Sequence, residues 1–170
     1  MRFMLVRHGP AGRRDAERWP GDAVRPLTSR GVKHTRDAAR GLARVEPEAG
    51  LIASSSLARA LPTARVFARP LDVVVVEESD ALGPGGFRDR ILEFPAGHAA
   101  DRSVMLVGHE PDLGELARAL PSGSSASLSI KKAGACAIAF DAEVRVGAGV
   151  LLWFLPAKIL ARLESGKVRA

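Results

Sequence analysis

The sequence predicts an α/β protein: a single three-layer α/β/α domain over residues 1–170, with a mainly parallel sheet that carries an antiparallel strand. Three observations predict it. Short continuous apolar runs, Phe3-Met4-Leu5-Val6 and Val104-Met105-Leu106-Val107 foremost, read as strands covered on both faces, the condition of a parallel sheet between helices. Strand-like and helix-like segments alternate as far as residue 120, after which strand-like segments follow one another. A length of 170 residues without an internal repeat suits one hydrophobic core.

The first strand, Phe3 to Val6, stops at the charged triplet Arg7-His8-Gly9. Residues 9–28 form a Gly/Pro/Arg-rich stretch without a period, longer than most connections and therefore expected to be functional or mobile. It closes with Arg25-Pro26-Leu27-Thr28, where Thr28 or Ser29 can cap a helix over residues 30–45 whose apolar face is Val32, Ala38, Ala39, Leu42 and Val45. Leu51-Ile52-Ala53 is the second strand. Ser54-Ser55-Ser56 leads into a helix carrying Leu57, Ala60, Leu61, Ala64, Val66 and Phe67; Pro62 fits only in a first turn, which sets the start near residues 58–61. Leu71 to Val76 is the third strand, with Val73 to Val76 too continuous to be half exposed. A loop at Gly83-Pro84-Gly85-Gly86 precedes a short helix through Phe87, Ile91, Leu92 and Phe94. Ser103 to Gly108 is the fourth strand, and Pro111 opens a helix over Leu113, Leu116, Ala117 and Leu120. Pro121 to Ser127 reads as a surface loop. Cys136 to Phe140 and Val150 to Leu155 are two further strands before a short, basic, helical end.

Composition narrows the function. Hydrophobic residues at 46% and charged residues at 26% are ordinary for a soluble globular protein. No apolar run approaches the length of a membrane span, and the chain enters a strand without a signal segment, so a cytoplasmic protein with no membrane partner is expected. The single cysteine, Cys136, excludes an internal disulfide and a thiolate metal cluster; within Ala135-Cys136-Ala137-Ile138 it reads as a small buried residue rather than a nucleophile. His34 and His98 lie among polar neighbours and are expected to face solvent. No HExxH or other ligand spacing occurs, so neither a metal nor another cofactor is expected. The net charge of +6 concentrates anionic partners, whether phosphates, phosphoproteins or nucleic acid. Nucleic acid is disfavoured, because the arginines are scattered, no Lys/Arg block occurs and there is no tyrosine to stack on bases. The sequence does not settle the oligomeric state, and a monomer is the default.

Two histidines stand at the ends of buried strands: His8 after the first and His109 after the fourth. In open α/β sheets ligands bind at the carboxyl edge of the strands, where neighbouring connections depart to opposite faces. A lone histidine there is more often a strand cap held by a hydrogen bond. The pairing, together with Arg7 and with Arg59 at a helix start, points instead to an anion cage, since helix N-termini and guanidinium forks both favour phosphoryl oxygens. An imidazole with a reference pKa near 6.5, pushed down by neighbouring cations, offers the unprotonated nitrogen that attack on phosphorus needs. Its other nitrogen would donate to a backbone carbonyl. His8 then suits nucleophilic catalysis through a phosphohistidine that water hydrolyses, with Arg7, Arg59 and His109 neutralising the transition-state charge and no metal required.

These residues resemble the histidine phosphatase superfamily. Leu5-Val6-Arg7-His8-Gly9 is similar to its RHG signature, Ser54 to Thr63 to its S-x-x-x-R-A-x-x-T segment, and Val107-Gly108-His109 to its second histidine. More narrowly, Asp22-Ala23-Val24-Arg25-Pro26-Leu27-Thr28 is similar to the D-x-x-R-P-L-T element of SixA-type phosphohistidine phosphatases. The likeness spans residues 2–155. It implies His8 as nucleophile, Arg7, Arg59 and His109 as the phosphate pocket, and Arg25 and Asp22 as substrate-binding residues at its rim; solvated loop charge is the alternative for the last two. Pro62 stands where the family often has a polar residue, a conformational change only. A larger departure concerns the general acid. Many members place a carboxylate after the third strand, but here Asp80 is the nearest, with Glu77 and Glu78 behind it and Glu110 beside His109, and none is convincingly placed. A phosphorylated imidazole leaves more readily than an alkoxide, so the weak acid slot favours a histidine-phosphorylated protein as substrate. The alternatives are a phosphomonoesterase for a small metabolite and a non-catalytic phosphate- or phosphoprotein-binding module.

Overall fold

Strands β1 (Arg2–Arg7) and β4 (Ser103–Gly108) form the middle of the sheet, because their apolar runs can be buried on both faces at once. The computed structural model describes residues 1–74, 76–85, 103–122 and 128–166. Within these, the order along the chain is β1, α1 (Ser29–Val45), β2 (Leu51–Ser54), α2 (Ala60–Ala68), β3 (Val76–Glu78), β4, α3 (Asp112–Ser122), β5 (Ala135–Ala139), β6 (Val150–Leu155) and α4 (Ala157–Glu164). Hydrogen-bonded neighbours run β3-β2-β4-β1-β5-β6. All pairs from β3 to β1 are parallel, and β5 is antiparallel to both β1 and β6.

The period of two along each strand sorts side chains between the faces. Met4, Val6, Met105, Val107, Ala135 and Ala137 meet α1, α2 and α4, whereas Phe3, Leu5, Val104, Leu106, Cys136 and Ile138 meet α3. The result is the three-layer α/β/α arrangement. The chain leaves β1 toward α1 on one face and leaves β4 toward α3 on the other, so these two adjacent strands are the point where connections diverge. A crevice opens beyond their carboxyl ends.

Thr28 caps α1, its hydroxyl accepting from the Gly31 N–H at 2.9 Å. Two glycines hold the first turn of α1 against the end of β1. A Cβ at Gly31 would sit 1.9 Å from the Pro10 carbonyl oxygen, and one at Gly9 would sit 2.1 Å from the Thr35 hydroxyl. Pro62 falls in the first turn of α2. The aperiodic stretch before α1 contains a short 3₁₀ helix, Asp22–Val24, and an isolated bridge between Ala11 and Leu27.

The structure differs from the expected elements in two places. The third strand is Val76–Glu78 rather than residues 71–76: Arg69–Leu71 is a 3₁₀ helix closed by Asp72 in the left-handed region at φ 54°, and Val74 is 94% exposed. Because β3 lies at the sheet edge, Val76 is only half-buried, unlike the residues of a central strand. The helix α3 runs on through Pro121 to Ser122, although Pro121 has no N–H to give the carbonyl of Ala117. The helix expected through Phe87, Ile91, Leu92 and Phe94, the remainder of the loop to Ser127, and His98 lie outside the described residues. His34 is half-buried on α1, and Cys136 is fully buried, its thiol pushed up to about 12 chiefly by burial. No described helix is long and apolar enough to cross a membrane.

Candidate active site

Sheet register brings the two histidines together. Arg7 pairs with Gly108 at the ends of β1 and β4, so His8 and His109 are the next residues of neighbouring strands, and their ring centroids stand 5.1 Å apart. Both are buried, at 5% and 3% exposure. Arg59 arrives from the N-cap of α2, and Arg25 and Asp22 from the 3₁₀ turn before α1. These residues, with Arg7, Arg13, Arg14, Glu110 and Lys132, line a cavity of about 410 Å³.

The hydrogen bonds of His8 fix its tautomer. Its Nδ1 lies 2.7 Å from the Gly9 carbonyl oxygen, which can only accept, so Nδ1 carries the proton. Its Nε2 lies 3.2 Å from Arg59 Nε, which can only donate, so Nε2 holds the lone pair. Burial pushes the His8 pKa down to about 3; the Gly9 bond opposes this, and His109, Arg59 and Arg7 add to it. Burial likewise brings His109 to about 4, with Arg59 contributing.

Ser55 governs the second histidine. Pairing of Ser54 with Val107 puts Ser55 beside Gly108 and His109, and its hydroxyl lies 3.0 Å from His109 Nε2. The hydroxyl oxygen already accepts from the Leu57 N–H at 3.4 Å, so its proton is free to donate to Nε2. With two lone pairs and one proton the hydroxyl can serve Nε2 as donor or as acceptor, so it holds the ring in either tautomer; Nδ1 of His109 is shut off from water and has no partner among the described residues. Arg7 donates from NH1 to the Ile130 carbonyl at 2.9 Å, while its buried Nε is also without a partner there.

Thr63 joins two of the sequence motifs. Its hydroxyl accepts from the Gly9 N–H at 2.9 Å and donates to the Arg59 carbonyl at 2.7 Å, tying the end of β1 to the start of α2. Asp22 ties the arginines: it accepts from Arg59 NH2 at 2.7 Å and from Arg25 Nε at 2.9 Å. Burial alone would raise the Asp22 pKa, but the Arg25 hydrogen bond and the charges of Arg59, Arg25 and Arg14 outweigh it and hold the carboxyl below its ordinary value. Arg25 also donates to the Gly12 carbonyl at 2.6 Å. Lys132 reaches the rim through a tight turn in which Ala133 adopts φ 57° and the Gly134 N–H donates to the Lys131 carbonyl at 2.7 Å. Partial desolvation lowers its pKa, and Arg7, Arg25 and Arg59 lower it further.

Asp80 does not join this group. It is exposed, accepts from the Ser56 hydroxyl at 3.3 Å and is absent from the cavity lining. Two carboxylates do line the cavity: Asp22, paired with Arg59 and Arg25, and Glu110, whose pKa burial raises and whose oxygens accept from the Ile130 N–H at 2.7 Å and from the Gly114 N–H. Lys132, Arg13 and Arg14 carry no mark in the sequence as site residues, since register and turn geometry alone bring them in; Ser55 lies in the S-x-x-x-R-A-x-x-T segment, but nothing there tells that it meets His109. Among the described residues no group of three or more His, Cys, Asp or Glu is placed to hold a metal ion.

Comparisons with known proteins accord with this geometry. The family model of the histidine phosphatase superfamily (branch 1) matches residues 3–83. An uncharacterized protein of Picosynechococcus sp. is 34% identical over 137 residues, covering 79% of this chain and 82% of its own. Among solved structures, the protein histidine phosphatase SixA complexed with tungstate is similar with a TM-score of 0.82 and 24% identity, covering 94% of this chain and 99% of that one. The alpha-ribazole phosphatase of Shigella flexneri is similar with a TM-score of 0.68 and 18% identity, covering 92% and 97%. At these identities the two solved structures show the shared fold.

Proposed function

The chain belongs to the histidine phosphatase superfamily, and from that premise we propose that it is a phosphatase hydrolysing phosphohistidine, carried on a protein, through a covalent phosphohistidine on His8. The observation that carries the proposal is the fixed tautomer of His8, with a lone pair on Nε2 inside a cage of Arg7, Arg59 and His109.

In this mechanism the Nε2 lone pair attacks phosphorus in line with the scissile P–N bond. The bond breaks as the new one forms, and the departing imidazole keeps the bonding electrons and takes a proton from water. Arg7, Arg59 and His109 bind the equatorial oxygens, where positioning and electrostatics dominate phosphoryl transfer. Water then attacks the phosphorus on His8, inorganic phosphate departs and Nε2 recovers its lone pair. The P–N leaving group matters because, among the described residues, no carboxyl group in the cavity stands free to act as an acid: Asp80 lies outside it, Asp22 is paired with Arg59 and Arg25, and the carboxylate of Glu110 is tied to two backbone N–H groups.

A second reading, a phosphomonoesterase for a small metabolite, rests on Glu110 itself. Its raised pKa and its place in the lining would let it protonate an alkoxide if the backbone bonds gave way. Side-by-side kcat/KM values for a phosphohistidine peptide, an aryl phosphate and an alkyl phosphate decide between them. The proposal expects the peptide to be the best substrate; an alkyl ester as the best substrate, lost selectively in Glu110→Gln, would transfer the assignment to the metabolite enzyme.

A further inference from the structure

The catalytic cavity does not end at its own rim. Gly12 and Arg13 line it and also line a neighbouring groove of about 510 Å³, whose other residues include Arg18, Trp19, Pro26 and Leu27. Pro26, Leu27 and the half-buried Trp19 make part of that groove apolar, and the Arg18 guanidinium stacks on the Trp19 ring at 5.1 Å from its centroid. Both Arg13 and Arg18 are exposed, and neither has a carboxylate partner among the described residues. The one acid in the groove, Asp15, is engaged by its own turn, accepting from the Glu17 and Arg18 N–H groups at 3.1 Å. A free phosphate held by Arg7, Arg59 and His109 would leave this groove empty. A chain entering through the cavity mouth would be led along it.

Resting on the phosphohistidine reading above, we propose that the groove seats the polypeptide flanking the phosphorylated histidine, and that this flank is acidic. Its carboxylates pair with Arg13 and Arg18, and an apolar residue between them lies on Trp19, Pro26 and Leu27. The complementarity is of charge as well as shape: the cavity itself is occupied by arginines that the phosphoryl group engages, so the cations left over in the groove select what is attached to it.

The test uses two peptides that differ only in the flank, one with Asp and Glu and one with Asn and Gln at the same positions. Each is made with phosphohistidine for turnover and with a non-hydrolysable phosphonate analogue of it for calorimetric binding. Wild type should bind the acidic analogue about fivefold to tenfold more tightly, as one or two partly exposed ion pairs allow. Arg18→Glu should abolish or invert that preference while hydrolysing phosphoramidate at the wild-type rate, and Arg162→Glu, an exposed charge reversal on α4, should leave the preference in place. Equal affinities of wild type for the two analogues, or a preference unmoved by Arg18→Glu, would overturn the groove assignment even with phosphohistidine turnover intact. Separated affinities without turnover of any phosphohistidine peptide would overturn the activity and leave the groove standing.

Discussion

Replacing His8 by Gln should make the protein's stability less sensitive to acid. In the folded state burial holds the His8 pKa at about 3, against about 6.5 in the unfolded chain. Between those values the unfolded state binds the extra proton, so stability rises with pH and is lost as pH falls below 6.5. Integrated from pH 7.5 to pH 5, this loss is about 2 kcal/mol for His8, and His109, at about 4 when folded, adds a similar amount. His8→Gln removes the first contribution only. The assay is urea unfolding of wild type and variant at both pH values, followed by Trp19 and Trp153 fluorescence, in buffers without phosphate because a bound anion would stabilise the native state. Any pH-independent cost of the substitution cancels in the double difference. Wild type should lose about 2 kcal/mol more than the variant over this range. Equal losses would mean that His8 titrates normally when folded, and the picture of a nucleophile kept unprotonated by burial would fall.

Three further outcomes follow from the site. Ser55→Ala should lower kcat about tenfold, on the order of one buried hydrogen bond, because His109 loses the partner that orients its ring; an unchanged kcat in steady-state assays would remove Ser55 from the mechanism. Asp80→Asn should change kcat/KM for a phosphohistidine peptide by less than the lower end of general-acid effects, about 10²-fold, and in fact by under about tenfold, because Asp80 lies outside the cavity; a larger loss in steady-state assays would restore it as the acid. Vanadate should inhibit competitively through the cage of Arg7, Arg59 and His109, and chelators should leave the rate unchanged; loss of activity on dialysis against chelator, restored by a divalent ion, would contradict this.

Much of this site is legible in the amino-acid sequence, because Arg7, His8 and His109 each follow an apolar run and Arg59 follows the next strand by a short turn. Local pattern alone therefore puts them at strand ends. Ser55 is different: the S-x-x-x-R-A-x-x-T spacing marks it among three serines, but only the pairing of Ser54 with Val107 shows that its partner is His109. Lys132 depends on the left-handed turn at Ala133, a residue without the conformational preference that marks such turns. The misplacement of β3 has the same origin in reverse. Val73 to Val76 looks like a buried strand by composition, yet burial is decided by position in the sheet, and β3 is at its edge.

The mechanism stands or falls on the covalent intermediate. Wild type is mixed with a ³²P-labelled phosphohistidine peptide, quenched during the first turnover in acid or in alkali, digested and mapped. Label should appear on the fragment containing His8, stable in alkali and lost in acid, with none on a folded His8→Ala variant, which should not turn over. Label on another residue, or turnover by His8→Ala at the wild-type rate, would contradict nucleophilic attack by His8.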